Sequence, residues 1–150
     1  MKKIIAILLI GLSFCFVSAR AEDFLTLTGE KITYQELVQR PKVVLFAWAV
    51  WCPYCRQELE RVSRECEYFS DAEVFFINIG DKTPQVEKYA ESKKFKPCIR
   101  EKIILDQKVF IARKFNIIGI PTYIFLKNGE LVKTTHFFNQ EMLTSIFGKD

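Results

Sequence analysis

Two cysteines three positions apart, Cys52 and Cys55, are the residues of this chain whose types and spacing best suit chemistry. Thiols at this spacing can close a disulfide that opens again during exchange with a substrate, so a reversible redox couple is the leading hypothesis. Half of a zinc site has the same spacing, but zinc needs a second ligand pair. The other three cysteines and the single histidine provide none, so we expect no metal and no cofactor beyond the disulfide.

The segments around the cysteines indicate a buried strand that leads into a helix. Residues 43–50 form an apolar run directly before the pair, and Pro53 suits the first position of a helix. From there, apolar residues recur at steps of four and three and predict one buried helix face: Cys55, Leu59, Val62, Cys66 and Phe69. Cys52 would therefore precede the first helical turn, where unpaired N–H groups and the helix dipole favour its thiolate and make it the nucleophile. Cys55, one turn inside, would be the resolving thiol.

The first 21 residues have the pattern of a secretory signal peptide. Lys2 and Lys3 precede the apolar residues 4–12, and Ala19-Arg20-Ala21 has the form of a cleavage site. We therefore expect a signal peptide at 1–21, one mature domain at 22–150, and an exported, periplasmic protein. A retained membrane anchor is the alternative, although the apolar segment is shorter than the roughly 20 residues of a usual span.

The charge of the chain lies mostly in this leader. Its removal takes away Lys2, Lys3 and Arg20 and no acid, so the formal charge falls from +4 to +4 − 3 = +1. No basic stripe remains, which argues against nucleic acid as a partner. The mature chain is long enough for one domain with one core, and we expect a monomer.

The mature chain alternates strand and helix patterns with short connections, which predicts an α/β fold. Thr33 and Glu36 have capping-box spacing before a short helix, and Asn128-Gly129 predicts a hairpin between two strands. The further predicted strands are 25–27, 74–79, 103–105, 123–126 and 131–135, and the further predicted helices are 83–94, 107–115 and 140–147.

Three motifs, in this order, resemble the thioredoxin superfamily over nearly the whole mature chain: residues 48–55 with the cysteine pair, Gly119-Ile120-Pro121-Thr122 before a strand, and the hairpin at 127–129. Within that superfamily the chain is similar to the exported TlpA/ResA-like thiol-disulfide oxidoreductases. This narrower resemblance rests on the leader, the strand at 24–27 with its Gly29 turn, and residues 78–81. It implies a thioredoxin fold, in which helices flank a central mixed β-sheet.

The resemblance also implies roles for individual residues. Pro121 would be cis and would present the backbone of Ile120 beside Cys52 for pairing with an extended substrate segment; a trans turn proline is the alternative. Trp51 would shield the active-site sulfurs, although an ordinary core aromatic is an equal interpretation. Pro53 completes the motif between the cysteines.

One position departs from the cytoplasmic thioredoxins, which keep a buried acid beneath the disulfide where this chain has Phe46. TlpA/ResA-like proteins also lack that acid and often carry a glutamate after the next strand, where Asp81 stands here. Asp81 would then deprotonate Cys55. A helix-capping or loop role is the alternative.

The remaining candidate residues have simpler interpretations. We expect Cys66 to be a buried, inert thiol and Cys98 to be a free loop thiol, with a Cys66–Cys98 disulfide as the alternative. His136 is expected at an exposed strand end without a catalytic role.

The sequence favours a reductant of protein disulfides, because no histidine stands between the cysteines to stabilise the Cys52 thiolate strongly. The resemblance implies protein thiol and disulfide substrates, a thiol-reductase type of membrane electron donor, and a link to cytochrome c maturation. An oxidase or isomerase is the alternative among enzymes. A redox-idle binding module that uses the groove around Ile120 and Pro121 is the alternative of another class.

Overall fold

The computed structural model describes residues 22–65 and 71–148, which form a sheet with helices on both faces. The predictions for residues 1–21, Cys66 and Phe69 lie outside this part of the chain. In chain order, the elements are β1 (Asp23–Thr26), β2 (Lys31–Thr33), α1 (Tyr34–Val38), β3 (Lys42–Trp48), α2 (Pro53–Glu65), β4 (Glu73–Ile79), α3 (Thr83–Ser92), α4 (Pro97–Arg100), β5 (Ile103–Asp106), α5 (Phe110–Lys114), β6 (Thr122–Lys127), β7 (Glu130–Thr135) and α6 (Gln140–Phe147).

The seven strands form one mixed sheet in the order β2-β1-β5-β4-β3-β6-β7. β4 is parallel to both β3 and β5, whereas the other four neighbouring pairs are antiparallel. The carboxyl end of β3 leads directly to the cysteine pair, and the amino end of antiparallel β6 lies beside it. The expectation of a central mixed sheet is therefore confirmed.

The core consists of two apolar layers, one on each face of the sheet. Val44, Phe46 and Trp48 point to the layer that contains α2, α3, α6 and both cysteines of the pair. Val43 and Leu45 point to the opposite layer, with α1 and α5. Each of these large aliphatic or aromatic side chains contributes about 1.5–3 kcal/mol on burial. The redox pair thus rests on a packed layer rather than on a mobile loop.

Most predicted elements are confirmed, including the capping box of α1 and the hairpin at Asn128-Gly129. The Asn139 side chain caps α6 by accepting from the N–H of Met142. The predicted helix over 107–115 is too long. The Asp106 carboxylate accepts hydrogen bonds from the N–H groups of Phe110 and Ile111 at 2.8 Å each, so the helix begins only at Phe110. Burial raises the pKa of Asp106, and the backbone hydrogen bonds oppose that rise.

The prediction of a free loop thiol at position 98 is wrong on both counts. Cys98 lies in the one-turn helix α4, where Pro97 occupies the first turn, and its sulfur is disulfide-bonded. The pattern of a single helical turn is too short to stand out in a sequence. Among residues 22–65 and 71–148, no helix combines the length and the apolar character needed to cross a bilayer.

Candidate active site

Cys52 and Cys55 form a disulfide at the amino end of α2, with their Cα atoms 5.3 Å apart. The N–H of Cys55 donates to the Cys52 sulfur at 3.1 Å. Cys55 is fully buried, whereas Cys52 retains 4% of its surface. Since the backbone N–H groups at a helix start stabilise negative charge, this geometry suits a Cys52 thiolate after reduction. Of the two cysteines, only Cys52 has surface that another molecule could contact; its role as the nucleophile stays a prediction.

A loop from the amino end of β6 covers the disulfide. The Ile120–Pro121 peptide bond is cis, as predicted, and the Ile120 carbonyl oxygen lies 3.8 Å from the Cys52 sulfur. Within the loop, the Thr122 hydroxyl donates to the Gly119 carbonyl at 2.6 Å. The backbone beside Ile120 is therefore held next to the reactive sulfur.

Asp81 follows β4 and holds the segment that leads into the cysteine pair. One of its carboxylate oxygens accepts from the N–H of Val50 at 2.6 Å and from the amide of Asn78 at 2.9 Å. The residue is 9% exposed. These contacts agree with the expected loop role; proton acceptance from Cys55 stays a prediction.

Large exposed aromatic side chains surround the entrance to the disulfide. Trp51 and Tyr54 are 69% and 74% exposed, although they flank two buried cysteines. Pro53 is the first residue of α2, as predicted. An exposed Trp51 is not a core aromatic, and its proposed shielding of the sulfurs stays a prediction.

The sequence analysis did not find a partly buried polar network that joins α2 to β6. The Tyr123 hydroxyl donates to the Glu58 carboxylate at 2.8 Å, and Arg61 donates to the same carboxylate at 2.7 and 3.0 Å. Arg61 also donates to the Phe138 carbonyl, which ties α2 to the segment before α6. Phe46, at the position of the missing acid, stacks on Tyr123 with ring centroids 4.5 Å apart.

The network shifts the pKa values of both partners. Burial alone would raise the pKa of Glu58, but hydrogen bonds from Arg61 and Tyr123, together with the Arg61 charge, lower it below its usual value. Burial, followed by the Glu58 charge, raises the pKa of Tyr123. Glu58 is therefore a carboxylate at neutral pH. In the sequence, the one indication of this role was that Glu58 lies about one helical turn after Cys55 in α2.

Within the described part of the chain, no three His, Cys, Asp or Glu side chains are grouped closely enough to hold a metal ion. The chemistry that the arrangement supports is thiol-disulfide exchange. A thioredoxin-like sheet, a Cys-X-X-Cys pair at a helix start and an adjacent cis-proline define the site of a thioredoxin-like thiol-disulfide oxidoreductase.

Comparison with known proteins agrees with this class. The profile of the AhpC/TSA family matches residues 17–142, and the chain belongs to this family. It is 31% identical over 119 residues to Sporulation thiol-disulfide oxidoreductase A of Bacillus subtilis (strain 168), covering 73% of this chain and 66% of that protein. It is 27% identical over 92 residues to Thiol-disulfide oxidoreductase ResA of Geobacillus kaustophilus (strain HTA426), covering 59% and 51%.

Among solved structures, StoA from Bacillus subtilis superposes with a TM-score of 0.65 at 26% identity, over 83% of this chain and 94% of that chain. The predicted thioredoxin fold and the resemblance to ResA-like proteins are confirmed. The match spans just under two thirds of the length of Sporulation thiol-disulfide oxidoreductase A and about half of the length of the ResA protein.

Proposed function

We propose that this protein is an exported oxidoreductase that reduces disulfides of other proteins through Cys52 and Cys55. One observation carries the proposal: of the two paired cysteines, the one that retains exposed surface, Cys52, lies at a helix start, and its sulfur is 3.8 Å from the carbonyl oxygen of Ile120. A substrate segment that pairs with this backbone brings its own disulfide to Cys52.

The reaction requires two exchange steps. In the first, the Cys52 thiolate attacks one sulfur of the substrate disulfide; a mixed disulfide forms and the other substrate sulfur leaves as a thiolate. In the second, the Cys55 thiolate attacks the Cys52 sulfur and releases the second substrate thiolate. The substrate gains two electrons, two protons from Cys55 and solvent complete its thiols, and the enzyme is left as the Cys52–Cys55 disulfide.

The burial of Cys55 supports this order of steps. Cys55 has no exposed surface, so a protein disulfide cannot reach it before Cys52 has reacted. The backbone N–H of Cys55 points at the Cys52 sulfur and lowers the free energy of the thiolate that attacks first. A new turn of the cycle needs an electron donor, for which we propose a membrane thiol reductase.

The proposed direction of electron flow is supported by the residues between the cysteines. Pro53 and Tyr54 contribute no positive charge to stabilise the Cys52 thiolate strongly, which favours a reductant over an oxidant. The signal-peptide pattern of residues 1–21 supports export to the periplasm. By resemblance to ResA-like proteins we propose the disulfide of an apocytochrome c as the substrate.

A redox titration tests this proposal. The protein is equilibrated at graded potentials, its thiols are trapped, and mass spectrometry reports separately on Cys52, Cys55 and Cys98, since Cys98 is also disulfide-bonded. We expect a midpoint for the Cys52–Cys55 pair near or below about −250 mV; a midpoint above about −150 mV would instead identify an oxidant. A pair that never cycles would leave the binding-module hypothesis, in which Cys52→Ser has no effect.

A further inference from the structure

We propose that His136 is a positioning residue that holds the loop at residues 119–122 in the geometry that receives substrate; this inference rests on the proposed function. His136 is the single histidine of the chain, and it is exposed directly after β7. Its Nδ1 lies 2.9 Å from the carbonyl oxygen of the cis-proline Pro121 and 3.4 Å from the hydroxyl oxygen of Thr122.

The register of the sheet explains this contact. Tyr123 pairs with Thr135 across β6 and β7, so the next residues outward, Thr122 and His136, face each other where the ladder ends. Because Pro121 has no N–H, the chain there lacks one of the two backbone groups that a ladder uses. The His136 side chain supplies a partner for the remaining carbonyl.

The chemistry of the atoms sets the direction of each hydrogen bond. A carbonyl oxygen only accepts, so Nδ1 of His136 must carry a proton and donate to Pro121. The Thr122 hydroxyl donates its proton to the Gly119 carbonyl at 2.6 Å, so its oxygen can only accept from the same Nδ1–H. His136 thus contacts two consecutive residues of the loop, Pro121 and Thr122, through one donor, and Thr122 in turn holds Gly119.

The braced loop is the part of the site that a peptide substrate would contact. Ile120 lies between Gly119 and Pro121, and its carbonyl is 3.8 Å from the Cys52 sulfur. A loop that loses its brace samples other positions, and the substrate must then order it on binding. The loss should therefore weaken the binding of peptide disulfides without changing the sulfur chemistry.

Three variants separate these effects. His136→Ala removes the donor, His136→Asn retains an N–H at the position of Nδ1, and His136→Gln moves the N–H to the position of Nε2. Each pre-reduced protein is reacted with a disulfide-bonded peptide that has an extended segment, and with the small aromatic disulfide DTNB, which has no peptide backbone. Lys133→Ala, an exposed change on β7, is the matched control.

We expect His136→Ala and His136→Gln to raise the half-saturating peptide concentration about three- to tenfold, in line with the loss of one hydrogen bond. The limiting rate with peptide and the rate with DTNB should stay unchanged. His136→Asn and Lys133→Ala should both behave like wild type. Thermal unfolding of all four proteins confirms that they fold.

Three results would overturn the inference: an unchanged half-saturating concentration in His136→Ala, an equal loss of rate with DTNB, or equal behaviour of the Asn and Gln variants. A failure of the proposed function looks different. A wild-type protein that reacts with DTNB but not with peptide disulfides would refute the proposed function and, with it, the inference about His136. Normal wild-type activity with an unaffected His136→Ala refutes the inference alone.

Discussion

Replacing Asp81 with alanine should destabilise the oxidised protein by about 2–3 kcal/mol. The carboxylate accepts two hydrogen bonds, at 2.6 Å from the N–H of Val50 and at 2.9 Å from the amide of Asn78. Asn78 is 1% exposed, so its amide would lose its partner without gaining contact with bulk water. Each buried donor that loses its acceptor costs about 1–3 kcal/mol, and two donors are affected. Removing the carboxylate also removes the cost of burying its charge, which offsets part of that destabilisation.

The free energy of unfolding, measured by urea denaturation of oxidised wild type and variants, tests this value. Glu91→Ala, an exposed change on α3, is the control and should stay within about 0.5 kcal/mol of wild type. Asp81→Asn keeps an accepting oxygen but loses the charge, so we expect an intermediate loss of about 1 kcal/mol. A loss below about 0.5 kcal/mol for Asp81→Ala would refute the reasoning, because the two contacts would then carry no net stability.

The Asp81→Asn variant also tests whether Asp81 accepts a proton from Cys55. Asp81→Asn retains the hydrogen bonds to Val50 and Asn78 but cannot accept a proton from Cys55. If it releases the reduced substrate from the mixed disulfide more slowly than wild type does, Asp81 is the base. An unchanged release would leave Asp81 with the role of holding the active-site segment.

Four further predictions concern the cysteines, the polar network of Glu58 and Tyr123, and the entrance to the disulfide. Cys55→Ser should accumulate a mixed disulfide with substrate on Cys52, visible by intact mass, whereas Cys52→Ser should form none; the reverse pattern would exchange their roles. Tyr123→Phe should cost about 1–1.5 kcal/mol in urea unfolding at pH 7, since it removes one hydrogen bond to a carboxylate and keeps the ring. Because the pKa of Glu58 is lowered in the folded protein, its stabilisation is complete above the unfolded value of about 4.3 and is lost as pH falls through the folded value. Glu58→Gln should flatten that acid dependence, and an unaltered dependence would exclude Glu58 as its source. Trp51→Ala should change stability by less than about 0.5 kcal/mol because the side chain is 69% exposed, yet slow the reaction with protein disulfides.

The local patterns of the chain were sufficient for most of the fold. The strand before Cys52, the capping box at Thr33 and the Asn128-Gly129 turn depend on neighbouring residues only, and all three are confirmed. The helix over 107–115 was predicted too long because the prediction also used neighbouring residues only. Its true start depends on Asp106, whose role as a cap becomes visible only when the backbone geometry is known.

In the candidate site, too, local features could be predicted and long-range contacts could not. The spacing of Cys52 and Cys55 identified the couple, because a helix start places both thiols within one turn. The contact between Glu58 and Tyr123 joins residues 65 positions apart, and no pattern within either segment relates them.

The sequence alone determined the redox pair and the α/β class, since spacing and periodicity act over a few residues. The place of Pro121 beside the pair was implied by the resemblance to a family. Only the tertiary structure decided which groups surround the pair. Asp81 contacts Val50, and His136 contacts Pro121. These contacts form because the carboxyl ends of β3, β4 and β7 and the amino end of β6 lie at the same end of the sheet. Such contacts depend on how strands pair across the fold, and strand pairing is a property of the whole chain.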